Sequence, residues 1–185
     1  FSNNDNFREN KPKTLIYVAM RLFIMKLPLP PNNFSAIMSL EVKSMFISET
    51  QVEIRYAETD QMGVVYHANY LIWCEIGRTQ IVKDLGFNYA ELEEAGYLSP
   101  VMDFSIQYKA AMRYGQTATV RTWIEEHTKL RTTYGYEILH EDGTVAVTAK
   151  SIHILVKKEN FRPVSLKKVD PAWDAKYAEA AKNQN

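Results

Sequence analysis

Between Ala68 and Phe87 the chain reads ANYLIWCEIGRTQIVKDLGF, an apolar-rich run with few charges in its first half. Leu71, Ile72, Ile76, Val82 and Leu85 recur at helical spacings, and Gly86 supplies a stop, so the run predicts a helix. Its apolar residues spread around most of the circumference, which predicts a helix buried on most sides and in need of a covering layer. The rest of the chain provides one. TQVEIRY precedes the helix, and YLSPVMDFSIQYKAAM, TATVRTWIEEH, LRTTYGYEILH and TVAVTAKSIHILV follow it, all reading as strands. Asp142-Gly143 is a hairpin signal between the last two. This order predicts an α+β domain in which a curved antiparallel sheet of about five strands wraps one long helix. NYAELEEAGY predicts a short second helix ending near Gly96. A closing helix over about 170–182 has Asp170 as its cap and Pro171 at its first position.

Bulk properties exclude several classes. At 185 residues the chain suits one domain. Lys+Arg and Asp+Glu balance at 22 each, so no global basic field exists to attract nucleic acid. Cys74 is the single cysteine, which rules out an intramolecular disulfide and fits a reducing compartment, so a cytoplasmic location is expected. TLIYVAMRLFIMKL near the start is broken by Arg21 and falls short of the roughly 20 residues a bilayer span needs. No small-x-small cleavage pattern follows in PLPPNNF. Residues 1–44 are therefore expected to be a disordered or non-native extension, with the domain occupying 45–185.

The stretch RYAETDQMGVVYHANY, residues 55–70, feeds the long helix. A helix start leaves backbone N–H groups unpaired and carries a partial positive charge, so it can stabilise an oxyanion forming on a carbonyl. Asp60 lies six to nine residues before that start and is ionised at neutral pH, able to act as base or nucleophile. Gly63 lacks a Cβ and lets substrate and backbone approach closely. A carboxylate opposite oxyanion-binding amides is the minimum equipment for acyl transfer. Alone, Asp60 would read as a turn cap and Tyr66 as pocket wall. Glu58 reads as solvated.

The segment YAETDQMGVVYHANYLIWCEIGRT resembles the signature of the hotdog-fold acyl-CoA thioesterases, in the branch of 4-hydroxybenzoyl-CoA thioesterase and the YbgC-like proteins. Asp60, Gly63, Tyr66, His67, Asn69 and Tyr70 fall in register with that pattern, and the order of elements agrees over roughly residues 50–160. The resemblance implies that Asp60 is the catalytic carboxylate. It further implies that the Tyr66 and His67 amides polarise the thioester carbonyl, with the His67 side chain positioning substrate or Asp60. Gly63, Val65 and Asn69 are the expected substrate-binding residues. An acyl-CoA substrate and a homodimer or homotetramer with sites between subunits are implied as well. No cofactor is expected, because coenzyme A is part of the substrate. A thioesterase for acyl carrier protein and a non-catalytic acyl-thioester binding module are the alternatives.

Glu75 sits on the long helix. It is the reserve carboxylate, and an ion pair with Arg78 at i+3 is its expected structural role. Cys74 reads as core rather than nucleophile. His127, His140 and His153 lack metal-ligand spacing, so no metal site is expected. Lys157, Lys158 and Arg162 in VKKENFRP form a cationic turn and are candidate contacts for the phosphates of coenzyme A.

Overall fold

The computed structural model describes residues 45–182. The expected extension over residues 1–44 lies outside them. Strand β1 (Ser48–Glu53) leads through a single 3-10 turn (Tyr56–Glu58) and the Asp60 loop into helix α1 (Asn69–Asp84). Helix α2 (Tyr89–Glu94) and short strand β2 (Tyr97–Leu98) follow, then β3 (Val101–Tyr108), β4 (Thr117–His127), β5 (Arg131–Leu139) and β6 (Val145–Ile154). Strand β7 (Val156–Lys157), a helical turn α3 (Leu166–Val169) and helix α4 (Pro171–Lys182) complete the chain. The main sheet is antiparallel in the order β1-β4-β5-β6-β3, and β2 pairs with β7 in a two-stranded ribbon. Irregular register at Val101/Asp103, Ile124/Glu126 and Ile138/Leu139 interrupts three of the ladders and adds local twist.

Sequence punctuation accounts for most boundaries. At the end of α1 the Gly86 amide bonds the Lys83 carbonyl and Phe87 bonds Val82, with Gly86 at φ 91°, the two-bond stop that a left-handed glycine permits. The Asp170 carboxylate accepts from the amides of Ala172 and Trp173 at 3.0 and 2.9 Å and caps α4. The strand expected from Tyr97 onward is divided at Ser99-Pro100, since proline offers no N–H to a ladder, and its two pieces join different sheets.

One expectation fails. Helix α1 is not buried around most of its circumference. Its buried residues are Tyr70, Trp73, Cys74, Gly77 and Ile81, a row at i, i+3, i+4, i+7 and i+11, with Val82 beside the end of the row, while Leu71, Ile72 and Ile76 are 38%, 48% and 40% exposed. Gly77 sets this orientation. A Cβ there would lie 2.3 Å from Thr122 Oγ1 and 2.9 Å from Val120 Cγ1, so only glycine lets the helix approach β4 this closely. Among the described residues the Thr122 hydroxyl is buried without a hydrogen-bond partner.

Under α4, the Tyr134 and Tyr177 hydroxyls meet at 2.9 Å, and Trp173 stacks on Phe87 at 4.8 Å between centroids. Nearby, Tyr136, Ser151 and His153 form a buried chain, with Tyr136 Oη to Ser151 Oγ at 2.8 Å and Ser151 Oγ to His153 Nε2 at 2.9 Å. His153 Nδ1 faces the Ser99 carbonyl at 3.4 Å; a carbonyl only accepts, so Nδ1 holds the proton and Nε2 accepts from Ser151. Burial first, and the Arg78 charge second, push the His153 pKa down to about 4 from 6.5. A folded pKa below the unfolded one means that the unfolded chain binds the proton more tightly. Stability from this group is therefore complete above pH 6.5 and declines as the pH falls toward 4. Urea titrations across that window are expected to show a loss on the order of 3 kcal/mol. A His153→Gln variant should flatten that slope; an unchanged slope would assign it to other groups.

Candidate active site

The loop between the 3-10 turn and α1 is a compact, internally bonded unit. The Gly63 amide donates to the Asp60 carbonyl at 2.9 Å and the Asp60 amide to the Val64 carbonyl at 2.9 Å. Asp60 Oδ1 accepts from the Met62 amide at 2.8 Å. These bonds close a tight turn that requires Gly63 at φ 69°, a left-handed conformation unfavourable for any residue with a Cβ. One oxygen of the half-buried Asp60 carboxylate is thus held by backbone, while Oδ2 makes no hydrogen bond among the described residues.

Glu58 organises the loop, contrary to its reading as a solvated residue. It is 4% exposed. Its carbonyl accepts from the Tyr66 amide and the Asn69 side-chain amide, both at 2.8 Å. Its carboxylate accepts from the Arg55 amide at 2.8 Å, the Arg55 guanidinium at 3.0 Å and the Trp73 indole at 3.2 Å. Burial is the largest single influence and raises its pKa, but these donors together outweigh it and hold the carboxyl below its usual 4.5. Glu58 is therefore ionised at neutral pH and ties the loop to the buried face of α1. A second clasp comes from the β3–β4 connection. Arg113 Nη1 donates to the Gly63 carbonyl at 2.9 Å, the Val65 amide donates to the Met112 carbonyl, and the Met112 amide donates to the Tyr70 hydroxyl at 3.3 Å.

This bonding sorts the expected site residues. The Tyr66 amide is engaged by the Glu58 carbonyl, whereas the His67 and Ala68 amides have no hydrogen-bond acceptor among the described residues. The amides without an acceptor thus lie one residue beyond the expected Tyr66–His67 pair. Tyr66 and His67 are both exposed, with their rings 4.3 Å apart. His67 packs edge-on to Tyr108, whose hydroxyl donates to the His67 carbonyl at 3.1 Å. The His67 ring makes no hydrogen bond to Asp60. Gly63 is exposed at the loop tip, but Val65 is 4% exposed and belongs to the core, and the Asn69 amide is engaged by Glu58.

Glu75 is exposed on α1 and forms no ion pair with Arg78; that guanidinium instead lies over the Tyr89 ring, 5.5 Å from its centroid. Cys74 is fully buried, and burial pushes its thiol up to about 12, which removes it as a nucleophile. Lys157, Lys158 and Arg162 share one exposed turn, with Lys157 3.7 Å from Glu159 and Phe161 at its tip. Among the described residues no group of three or more His, Cys, Asp or Glu side chains is placed to hold a metal, and no helix is long and apolar enough to cross a membrane.

Comparison with known proteins identifies the family and the fold. The profile of the thioesterase-like superfamily matches residues 54–174. Over 138 residues, 75% of this chain and 100% of the relative, the chain is 51% identical to a Bacillus subtilis protein named Putative acyl-CoA thioesterase YneP. It is 25% identical over 117 residues to the Escherichia coli protein named Acyl-CoA thioester hydrolase YbgC, covering 63% of this chain and 87% of that one. A crystal structure of DHNA-CoA thioesterase from Staphylococcus aureus superposes with a TM-score of 0.72 at 40% identity, over 74% of this chain and 91% of that one.

Proposed function

The chain belongs to the thioesterase-like superfamily of hotdog-fold thioester hydrolases, and from that premise we propose that it hydrolyses acyl-CoA thioesters with Asp60 as the catalytic carboxylate. One observation supports it: a single tight loop holds a carboxylate by one oxygen and has, at its far end, amides at the start of α1 that make no hydrogen bond among the described residues. In the base form of the reaction, Asp60 takes a proton from water, and the hydroxide adds to the thioester carbonyl. The oxyanion that forms accepts from the His67 and Ala68 amides, reinforced by the helix start. Collapse breaks the C–S bond, expels the coenzyme A thiolate and leaves the carboxylic acid. In the nucleophilic form Asp60 adds directly, and water then hydrolyses the resulting anhydride. Tyr108 and Glu58 act as positioning residues in both. Lys157, Lys158 and Arg162 offer local cations for the coenzyme's phosphates.

A thiol-trapping assay over a series of aliphatic acyl-CoA lengths and one aromatic acyl-CoA tests the activity. Release of free coenzyme A is the expected result. Tight acyl-CoA binding without thiol release would replace the hydrolase by a binding module, and faster release from acyl carrier protein would reassign the carrier.

The working unit is proposed to be a homodimer. Strand β3 is an edge of the main sheet, with Val101, Met102 and Tyr108 exposed at 55%, 59% and 48%, and α1 turns Leu71, Ile72 and Ile76 to solvent. An unpaired edge strand and an apolar helix face on one chain fit pairing with a second copy. Sedimentation velocity at micromolar concentration should give a dimer or a multiple of it; a monomer that is fully active would overturn this.

A further inference from the structure

Arg78 stands apart from the other arginines. It lies on α1, nine residues beyond Asn69 and so about 14 Å further along the helix axis. Arg121, also half-buried, has Glu49 and Glu137 as carboxylate partners at 3.2 and 2.9 Å. Arg78 is half-buried as well, yet its guanidinium meets no carboxylate and no hydrogen-bond acceptor among the described residues, only the face of Tyr89. A partly buried cation without a counter-ion is unfavourable. The groups around it supply no anion. Its charge reaches Tyr134, Tyr136, Tyr177 and His153, and burial holds those phenols and that imidazole in their neutral forms at pH 7.

Arg78 lines a partly open cavity of about 40 Å³ together with Tyr89, Lys129, Tyr134, His153 and Tyr177. That volume exceeds what one water requires and admits a carboxylate group, with a larger body extending toward the mouth. His127 at the wall is already paired with the Asp174 carboxylate at 3.1 Å and with Thr132 Oγ1 at 2.9 Å, whereas the phenols beside Arg78 offer donors. The Tyr134 and Tyr177 hydroxyls share one bond between two protons, which leaves one proton free, and Tyr89 accepts from the Ser99 amide at 2.8 Å while keeping its own. Exposed Lys129 forms no ion pair among the described residues. Donors and cations at the walls call for an anion, and the phenol rings call for an organic one.

We infer that this cavity is a binding site for a small organic carboxylate, its anion held by the planar fork of Arg78 with a phenol hydroxyl and its body lying against the aromatic walls. A guanidinium matches a carboxylate in shape as well as charge, whereas a hydrated tetrahedral phosphate gains nothing from the rings. The site is separate from Asp60 on the same chain.

The test uses the whole chain and sodium benzoate as probe, followed by isothermal titration calorimetry. Wild type and Asp60→Asn are expected to bind benzoate with the same Kd, and Arg78→Gln to weaken it by on the order of tenfold or more. Lys129→Gln, on the exposed rim where it leaves the fold untouched, should weaken it by roughly twofold through lost long-range attraction. Inorganic phosphate should not displace the probe. Absence of benzoate binding, or a Kd unmoved in both Arg78→Gln and Lys129→Gln, would overturn the site. Tighter binding in Asp60→Asn, where a repelling carboxylate is gone, would relocate the anion to the catalytic loop, and displacement by equimolar phosphate would overturn the carboxylate assignment.

Discussion

An Asp60→Asn variant is expected to lose about two to four orders of magnitude in kcat on any acyl-CoA that the wild type hydrolyses, with little change in KM. The substitution is nearly isosteric. Its side-chain oxygen still accepts from the Met62 amide, so the turn that holds Gly63 at φ 69° persists. What disappears is the negative charge and the basic oxygen. The thermal midpoint should therefore stay close to that of the wild type, which separates chemistry from folding. Retention of full activity would remove Asp60 from the mechanism and turn attention to Glu75, the reserve carboxylate on α1. His67→Ala should be far milder than Asp60→Asn, since the reading assigns the His67 backbone, rather than its ring, to the carbonyl.

Gly77→Val is expected to destabilise the fold by about 3 kcal/mol or more, seen as a lower urea midpoint at unchanged m-value. Replacing glycine inside a helix ordinarily stabilises by up to about 1 kcal/mol. Here packing reverses the sign. A Cβ would overlap Thr122 Oγ1 at 2.3 Å and Val120 Cγ1 at 2.9 Å, so either β4 or the helix must move. Gly77→Ala should show the same sign at smaller size, and Thr122→Ala in the same chain should recover part of it. A Gly77→Ala variant more stable than wild type would show that the helix–sheet spacing is softer than the geometry requires.

The extent to which sequence discloses this molecule differs from element to element. Helix α1 and its stop at Gly86 are legible because apolar spacing and a left-handed glycine are local signals. Its orientation is not, because Leu71, Ile72 and Ile76 are as apolar as the residues that are buried, and only the contact between Gly77 and Thr122, 45 positions away, distinguishes the faces. The site behaves similarly. Asp60 and Gly63 stand out from their chemistry in one loop, and His67 through the segment's resemblance to the family signature. Glu58, by contrast, looks like an ordinary acidic residue until Trp73 and Asn69 are seen to reach it from α1. Arg113 lies 50 positions from the Gly63 carbonyl that it clasps, and no local pattern announces such a contact.

The open edge of β3 carries a consequence for how the chain reaches its working form. In a single chain that edge exposes ladder donors and acceptors beside Val101 and Met102, a template for any other extended chain. If the proposed homodimer pairs through β3, assembly and aggregation draw on the same strand and compete for it. Folding yield becomes a matter of concentration and timing rather than of stability alone. A substitution that blocks self-pairing without adding charge to β3 would accordingly be noticed first as insoluble protein, before any loss of catalytic rate could be measured.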